Sequence, residues 1–293
     1  MARKRVAVVL GGGGARGALQ VGALRALLEA NIQPDMLIGT SVGALNAGAL
    51  ATYGLNKVGL ARLEDAWRDA KDADILPSQS WWALMRSLFR RTSQVHQAHL
   101  REFLLQHGLP PELRFRDLPV RVGMVAADMY TYDMVVYGEN PEDRVLEGIL
   151  ASTALVPWLP PLDINGRSLI DGGSVSNVPI QVALEWGAKE IYALALDDDR
   201  VIGTQIRGLT GTFMRLMYLM SYRQTELELI LAREKGIPVH FIHLLPAEPV
   251  AIWDFSRTEA LFQEGYEITK AFLETQSDQG DSRFKVWKRL WTR

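Results

Sequence analysis

The sequence predicts an α/β fold built on parallel strands, and three stretches carry that prediction. Val6 to Leu10 is a continuous apolar, β-branched run of the kind found in strands buried on both faces. Gly11-Gly12-Gly13-Gly14-Ala15-Arg16-Gly17 follows at once and opens a helix with Leu19, Ala23, Leu24, Leu27 and Leu28 on one face. Met36 to Ile38 is a second apolar strand, which runs into Gly39-Thr40-Ser41-Val42-Gly43 and a helix of small residues. Both turns then sit at the carboxyl ends of parallel strands, where open α/β sheets hold their ligands.

The second turn has the spacing G-x-S-x-G, a nucleophile elbow. A serine on a sharp strand-to-helix turn has a strained backbone, and bulky neighbours two positions away would clash with the adjoining elements. Gly39 and Gly43 remove those side chains, and Ser41 Oγ is left pointing outwards. The competing reading is an ordinary helix cap by Thr40 or Ser41.

The glycine loop has three readings. Gly12, Gly14 and Gly17 form G-x-G-x-x-G, but a dinucleotide fold needs an acidic residue at the end of the second strand, and Gly39-Thr40-Ser41 stands there. A phosphate loop needs Gly-Lys-Ser/Thr, and Gly17-Ala18-Leu19 is not that. The third reading is an oxyanion hole over Gly12, Gly13, Gly14, Ala15, Arg16 and Gly17, with backbone donors worth roughly 10²–10³ each in rate. Arg16 either orders this loop or faces solvent.

Leu55 to Gln106 reads as helical, with Leu60, Leu63, Ala66 and Trp67 on one face. Within it, Trp81 to Arg91 mixes aromatics, long aliphatics and three arginines, as a core helix with a basic outer face or as a lid or membrane-surface patch. Gly108-Leu109-Pro110-Pro111 marks a turn. Val120 to Val125 is a buried strand with Met134 to Tyr137 as its hairpin partner. A helix from Glu142 ends at Ala151-Ser152-Thr153, where prolines force an extended segment to Pro161, either an acyl-pocket wall or a buried connection. Ser168 to Ile170 leads into Asp171-Gly172-Gly173 at a strand end.

Ile191 to Leu196 is a strand, and Asp197-Asp198-Asp199 after it reads as a solvated turn or a metal-attracting cluster. Thr210 to Lys235 is a long helix whose apolar half, Phe213 to Met220, is expected to be buried or to line a pocket. Val239 to Leu245 is the last strand and Thr258 to Thr275 a closing helix. The basic tail Arg283 to Arg293 reads as a solvated end or a weak contact with anionic membrane.

Composition narrows the function. Thirty-two basic against 34 acidic residues leave a net charge of -2, which gives no electrostatic case for nucleic acid. Without cysteine there is no disulfide, thiol nucleophile or cysteine metal site. The apolar run after the basic start ends at Leu10, too short for a signal peptide, and none reaches the ~18 residues of a membrane span, so a cytoplasmic protein, with at most a peripheral contact at the inner membrane surface, is expected. With no repeats or low-complexity linker, a single domain over residues 1–293 is the simpler organisation, a core over about 5–245 and a C-terminal helix and tail over 257–293.

Taken together, Gly12 to Gly17, Gly39 to Gly43, Ala151 to Pro161 and Asp171-Gly172-Gly173 resemble the patatin-like phospholipase family, in particular its compact bacterial members. The resemblance implies a three-layer α/β/α fold, a mostly parallel central sheet with helices on both faces. It implies hydrolysis of lipid acyl esters, with Ser41 as nucleophile, Asp171 as its only catalytic partner, Gly12 to Gly17 as the oxyanion hole, and no metal or other cofactor. The rival enzyme is an α/β-hydrolase with a Ser-Asp-His triad, for which His240 or His243 after Asp197 would supply the order. Malonyl-type acyltransferases share the elbow but not the Asp-Gly-Gly block. A non-catalytic α/β scaffold is the third reading.

Overall fold

A computed structural model of the protein describes residues 5–73, 90–156, 158–200 and 208–278. In chain order it forms β1 (Val6–Leu10), α1 (Gly17–Glu29), β2 (Met36–Thr40), α2 (Val42–Tyr53), α3 (Lys57–Asp69) and α4 (Arg90–Gln106). There follow β3 (Arg121–Asp128), β4 (Met134–Tyr137), α5 (Val145–Ser152), β5 (Leu162–Ile164), β6 (Arg167–Asp171) and α6 (Ile180–Glu185). The chain then continues through β7 (Glu190–Ala195), α7 (Gly208–Glu234), β8 (Val239–His243) and α8 (Thr258–Asp278). Trp81 to Phe89 and the tail Arg283 to Arg293 lie outside the described residues. Arg90 and Arg91 begin α4.

The eight strands form one mixed sheet whose connected path is β5-β6-β3-β2-β1-β7-β8, with β4 also paired to β3. The pairs β1–β2, β1–β7, β2–β3 and β7–β8 are parallel, whereas β4 and β6 run antiparallel to β3. Alternate strand residues feed two separate cores, which is why these strands read as unbroken apolar runs. Val8, Leu10, Leu37 and Met124 join the core under α1 to α5 and α8. Ala7, Val9, Ile38 and Ala193 join the core under α6 and α7. Three layers result, as the resemblance implies.

Two expectations need correction. The helix expected from Glu142 starts at Val145, because residues 140–143 close a turn in which Asp143 N–H donates to Asn140 O. Helix α1 is buried on nearly every side and not along one face, since α8 packs along its outer surface. A Cβ on Gly22 would meet Phe262 O at 1.9 Å, and one on Gly265 would meet Leu19 O at 2.0 Å. The helices therefore touch backbone to backbone.

The feature that positions the site is the edge of β3 opposite β4. Val125 pairs with Val136 of β4 and with Thr40 of β2, while Ala126 pairs with Val135 of β4 and with Asp171 of β6. A residue has one neighbour on each edge, so β2 and β6 share the edge that β4 leaves. They approach along it from opposite directions and end on adjacent rungs, at Thr40 and Asp171.

Gly22→Ala places a methyl group where the α8 backbone lies and is expected to destabilise the fold by about 3 kcal/mol, lowering Tm by roughly 6–12 °C. A thermal melt checks this; an unchanged midpoint would mean the α1–α8 contact is looser than described.

Candidate active site

Ser41 follows β2 directly and has φ 55° and ψ −126°, a conformation that costs a non-glycine residue about 1–3 kcal/mol. The flanking glycines are sterically required: a Cβ on Gly39 would meet Gly43 C at 2.3 Å, and one on Gly43 would meet Leu10 O at 2.1 Å. The helix-cap reading fails, because the Ser41 side chain makes no capping bond to α2. Its hydroxyl is free for other work.

Asp171 ends β6 and is 6% exposed. Its Oδ1 accepts the Gly173 N–H at 2.8 Å, and its buried Oδ2 has no hydrogen-bond partner. Burial pushes the carboxyl up to about 6, opposed by the nearby Ser41 hydroxyl and the Gly173 N–H. The Ser41 hydroxyl thus approaches this carboxyl as a weak hydrogen-bond donor. Two groups far apart in sequence are brought together, as the shared edge of β3 requires.

The glycine loop divides by how its N–H groups are used. Gly12 N–H donates to Asn177 O at 3.2 Å, Ala15 N–H to Ile252 O at 2.8 Å, and Gly17 N–H to Gly14 O. That leaves the Gly13 and Gly14 N–H groups without a hydrogen bond among the described residues, and Gly14 shares a cavity wall with Ser41. Arg16 is buried and orders the loop: its Nε donates to Gly13 O at 3.3 Å and its Nη1 to Asp198 O at 3.4 Å. Burial lowers the Arg16 pKa, and Asp197 and Asp198 oppose that effect.

The acidic triplet is accordingly not a solvated turn. Asp198 is 3% exposed; burial works against its charge, but the Arg200 hydrogen bonds outweigh that and hold its carboxyl below the usual range. Asp197 is half-buried, accepts from Asn177 Nδ2 at 3.2 Å, and is pushed up by burial against Arg16 and His243. Only Asp199 is exposed. Among the described residues no group of acids, histidines or cysteines is arranged to hold a metal ion.

The sequence assigned no role to several supporting residues, although Ser152 lies in the Ala151 to Pro161 block. The buried Ser152 hydroxyl accepts the Ser41 N–H at 2.9 Å and donates to Val125 O at 2.5 Å. Thr40 donates to Ser176 O at 2.7 Å, and Ser176 donates to Glu228 of α7 at 2.5 Å. Gln20 donates to Gly11 O, Asn46 to Gln20, and Trp67 Nε1 to Asn46 Oδ1, tying the glycine loop to α2 and α3. Most of these join segments distant in sequence, so local spacing carries no trace of them.

A cavity leads away from Ser41 between α2, α3 and α4. Val42, Leu45, Ala49 and Tyr53 line it from α2; Leu63, Ala66, Trp67 and Ala70 from α3; Leu100, Phe103 and Leu104 from α4. Thr153, Leu155 and Leu159 also line it, together with His107 and Phe255, so the segment after Ser152 is a pocket wall. Among the described residues, by contrast, helix α7 lines none of it. Leu216, Leu219 and Met220 are 53%, 56% and 48% exposed, against the expected burial. The buried side of α7 carries Ser221, Thr225, Glu228, Leu229 and Ala232, because the 172–181 segment beneath needs hydrogen-bond acceptors.

The candidate histidines have other partners. His240 Nε2 pairs with Glu190 at 2.9 Å and its ring stacks on Tyr192; His243 Nε2 contacts Asp197 O at 2.5 Å. His107 stands at the far end of the cavity, bonded to Phe103 O and Asp69.

Ser152→Ala leaves the Ser41 N–H and Val125 O without their shared partner and is expected to cost about 1–3 kcal/mol. Urea titration reads that loss, and reaction of Ser41 with a fluorophosphonate should slow as the elbow loosens. Equal stability and equal labelling would show that the bridge is dispensable.

Comparison with known proteins identifies the family. The family model described as patatin-like phospholipase matches residues 8–184. A lysophospholipase named NTE1 from Phaeosphaeria nodorum is 29% identical, over 94% of this chain and 19% of its own length. A Caenorhabditis elegans protein described as containing a patatin-like phospholipase domain is 28% identical, over 92% of this chain and 26% of its own. This chain therefore spans only about a fifth to a quarter of those relatives. Among solved structures, VipD from Legionella pneumophila aligns over 93% of this chain and 67% of that one, with 15% identity and a TM-score of 0.48. With the family model matching more than half of its length, the chain belongs to the patatin-like phospholipase family.

Proposed function

We propose that the protein is a serine acyl hydrolase that cleaves lipid acyl esters through Ser41 and Asp171. The observation that carries the reading is a desolvated carboxyl, raised to about 6, beside a strained serine hydroxyl at the mouth of an apolar cavity. In the first step Ser41 Oγ attacks the ester carbonyl while its proton passes to Asp171. The Gly13 and Gly14 N–H groups receive the developing oxyanion. Collapse expels the alcohol, which takes the proton from Asp171, and leaves an acyl-Ser41 ester. Water then attacks this ester, giving its proton to Asp171, and the fatty acid leaves as the proton returns to Ser41. The apolar cavity takes the acyl chain. A Ser-Asp-His triad has no support from His240, which pairs with Glu190, or from His243, which contacts the Asp197 backbone oxygen, since neither bonds to Ser41 among the described residues, and a scaffold has no use for the strain at Ser41.

Contact with a lipid surface is part of the same reading. Tyr218 of α7 sits within electrostatic reach of Asp197 and Arg16, which places this part of α7 beside the glycine loop. Leu216, Leu219 and Met220 are exposed there. No helix among the described residues is long and apolar enough to cross a membrane.

Ser41→Ala and Asp171→Asn should each lower p-nitrophenyl ester turnover by at least about a thousandfold. The kcat/KM of the wild type should fall below about pH 6 as Asp171 takes up its proton. The stability effect has the opposite sign. An unperturbed carboxyl titrates at 3.8, so between that value and about 6 the folded state binds the proton more tightly than the unfolded one. Stability is fullest below 3.8 and declines as pH rises through 6, leaving a penalty of up to about 3 kcal/mol at pH 8. Asp171→Asn should thus melt above wild type at pH 8, with the gap closing towards pH 4. A full-rate Asp171→Asn would sink the dyad.

Replacing Leu216 and Leu219 together by Asp should lower the ratio of vesicle-phospholipid to soluble-ester hydrolysis by about tenfold or more. An unchanged ratio would remove α7 from the lipid contact.

A further inference from the structure

We propose that the cavity beside Ser41 measures the acyl chain, with Tyr53 and His107 as its end stop, so that straight chains of about 12 to 14 carbons are preferred. The inference rests on the acyl-hydrolase reading and names the substrate class within it. Helix α2 begins at the residue after Ser41 and lines the cavity with Val42, Leu45, Ala49 and Tyr53, spacings of three and four that keep one face turned to the channel. At 1.5 Å per residue, Val42 to Tyr53 advances about 16 Å. An extended chain with C–C bonds of about 1.5 Å advances ~1.25 Å per carbon, so about 13 carbons reach Tyr53.

Between those ends the wall is almost wholly apolar, and the Thr153 hydroxyl is engaged with Ile149 O at 2.7 Å. Trp67 turns its Nε1 away to Asn46 Oδ1 at 2.8 Å and leaves its ring to the cavity. The character changes at Tyr53. Its half-buried hydroxyl donates to His107 O at 2.7 Å, which ties the last residue of α2 to the residue after α4. The His107 ring is held in turn by Phe103 O at 2.8 Å and Asp69 at 3.1 Å. A longer chain must break the Tyr53–His107 bond or bend back within a narrow apolar slot. Each further methylene then forgoes the roughly fourfold gain that burial gave the earlier ones.

The test is the profile of kcat/KM over p-nitrophenyl esters from butanoate to octadecanoate, for wild type, Tyr53→Ala and Ala49→Phe. Ratios between chains are read, so a general loss of activity in a variant cancels. The wild type should rise to dodecanoate or tetradecanoate and fall by octadecanoate. Tyr53→Ala removes the stop and should raise the octadecanoate-to-dodecanoate ratio about tenfold. Ala49→Phe blocks the channel partway and should lower the dodecanoate-to-butanoate ratio about twentyfold. Profiles that neither substitution moves overturn the gauge while leaving the hydrolase standing. A wild type that hydrolyses no ester and does not react with a fluorophosphonate overturns the hydrolase reading, and the gauge falls with it.

Discussion

One edge of β3 serves two strands, and the chemistry of the molecule depends on that sharing. β2 arrives parallel and ends at Thr40 opposite Val125, and β6 arrives antiparallel and ends at Asp171 opposite Ala126. Two strands cannot occupy the same rung, so each must leave the sheet there. The exits are abrupt. One produces the positive φ at Ser41 and the other the short turn that begins at Gly172. Backbone groups stranded where the strands part still need partners, and Ser152 supplies one by bridging Ser41 N–H and Val125 O. The serine and the carboxyl are thus neighbours because of sheet topology, and their special geometry is what ending two strands face to face requires.

Dryness gives that geometry its chemical sense. A carboxyl in water would be too weak a base for a serine, but Asp171 is buried with one oxygen unpartnered and is pushed up to about 6. An unsatisfied buried oxygen is a destabilising feature, and it stands at the position where the proposed mechanism needs a proton acceptor. The buried Arg16 fixes the glycine loop from behind, through Gly13 O and Asp198 O, while Gln20 and Asn46 hold the loop against α2. Rigid donors need not reorganise when charge develops before them. The same polar network turns the Trp67 nitrogen out of the channel and leaves the channel apolar.

Helix α7 shows how function can invert a hydropathy pattern. Its apolar residues Leu216, Leu219 and Met220 face outwards, while Ser221, Thr225 and Glu228 face the sheet. The inner side is polar because Glu228 accepts from Ser176 and from the Gln181 N–H, and Ser176 in turn holds Thr40 next to Ser41. A helix that pins a loop at the site cannot also present its best apolar residues to the core. They are left for the surface, beside the glycine loop.

By itself the sequence determined what depends on near neighbours. The apolar runs at Val6–Leu10 and Met36–Ile38, the glycine loop, and the G-x-S-x-G spacing that only glycines can satisfy were legible because strand burial and a sharp turn act over a few residues. Asp171 could be named from its block, but not placed. What the tertiary structure alone decided are contacts across long stretches of chain: Asp171 beside Ser41, the Ser152 bridge, Arg16 on Asp198, and the exposure of α7. The division of the glycine loop into engaged and free N–H groups belongs with them, since Asn177 and Ile252 take the engaged ones. These depend on which strands share an edge and which helix covers which face, and no periodicity in a single segment encodes that choice.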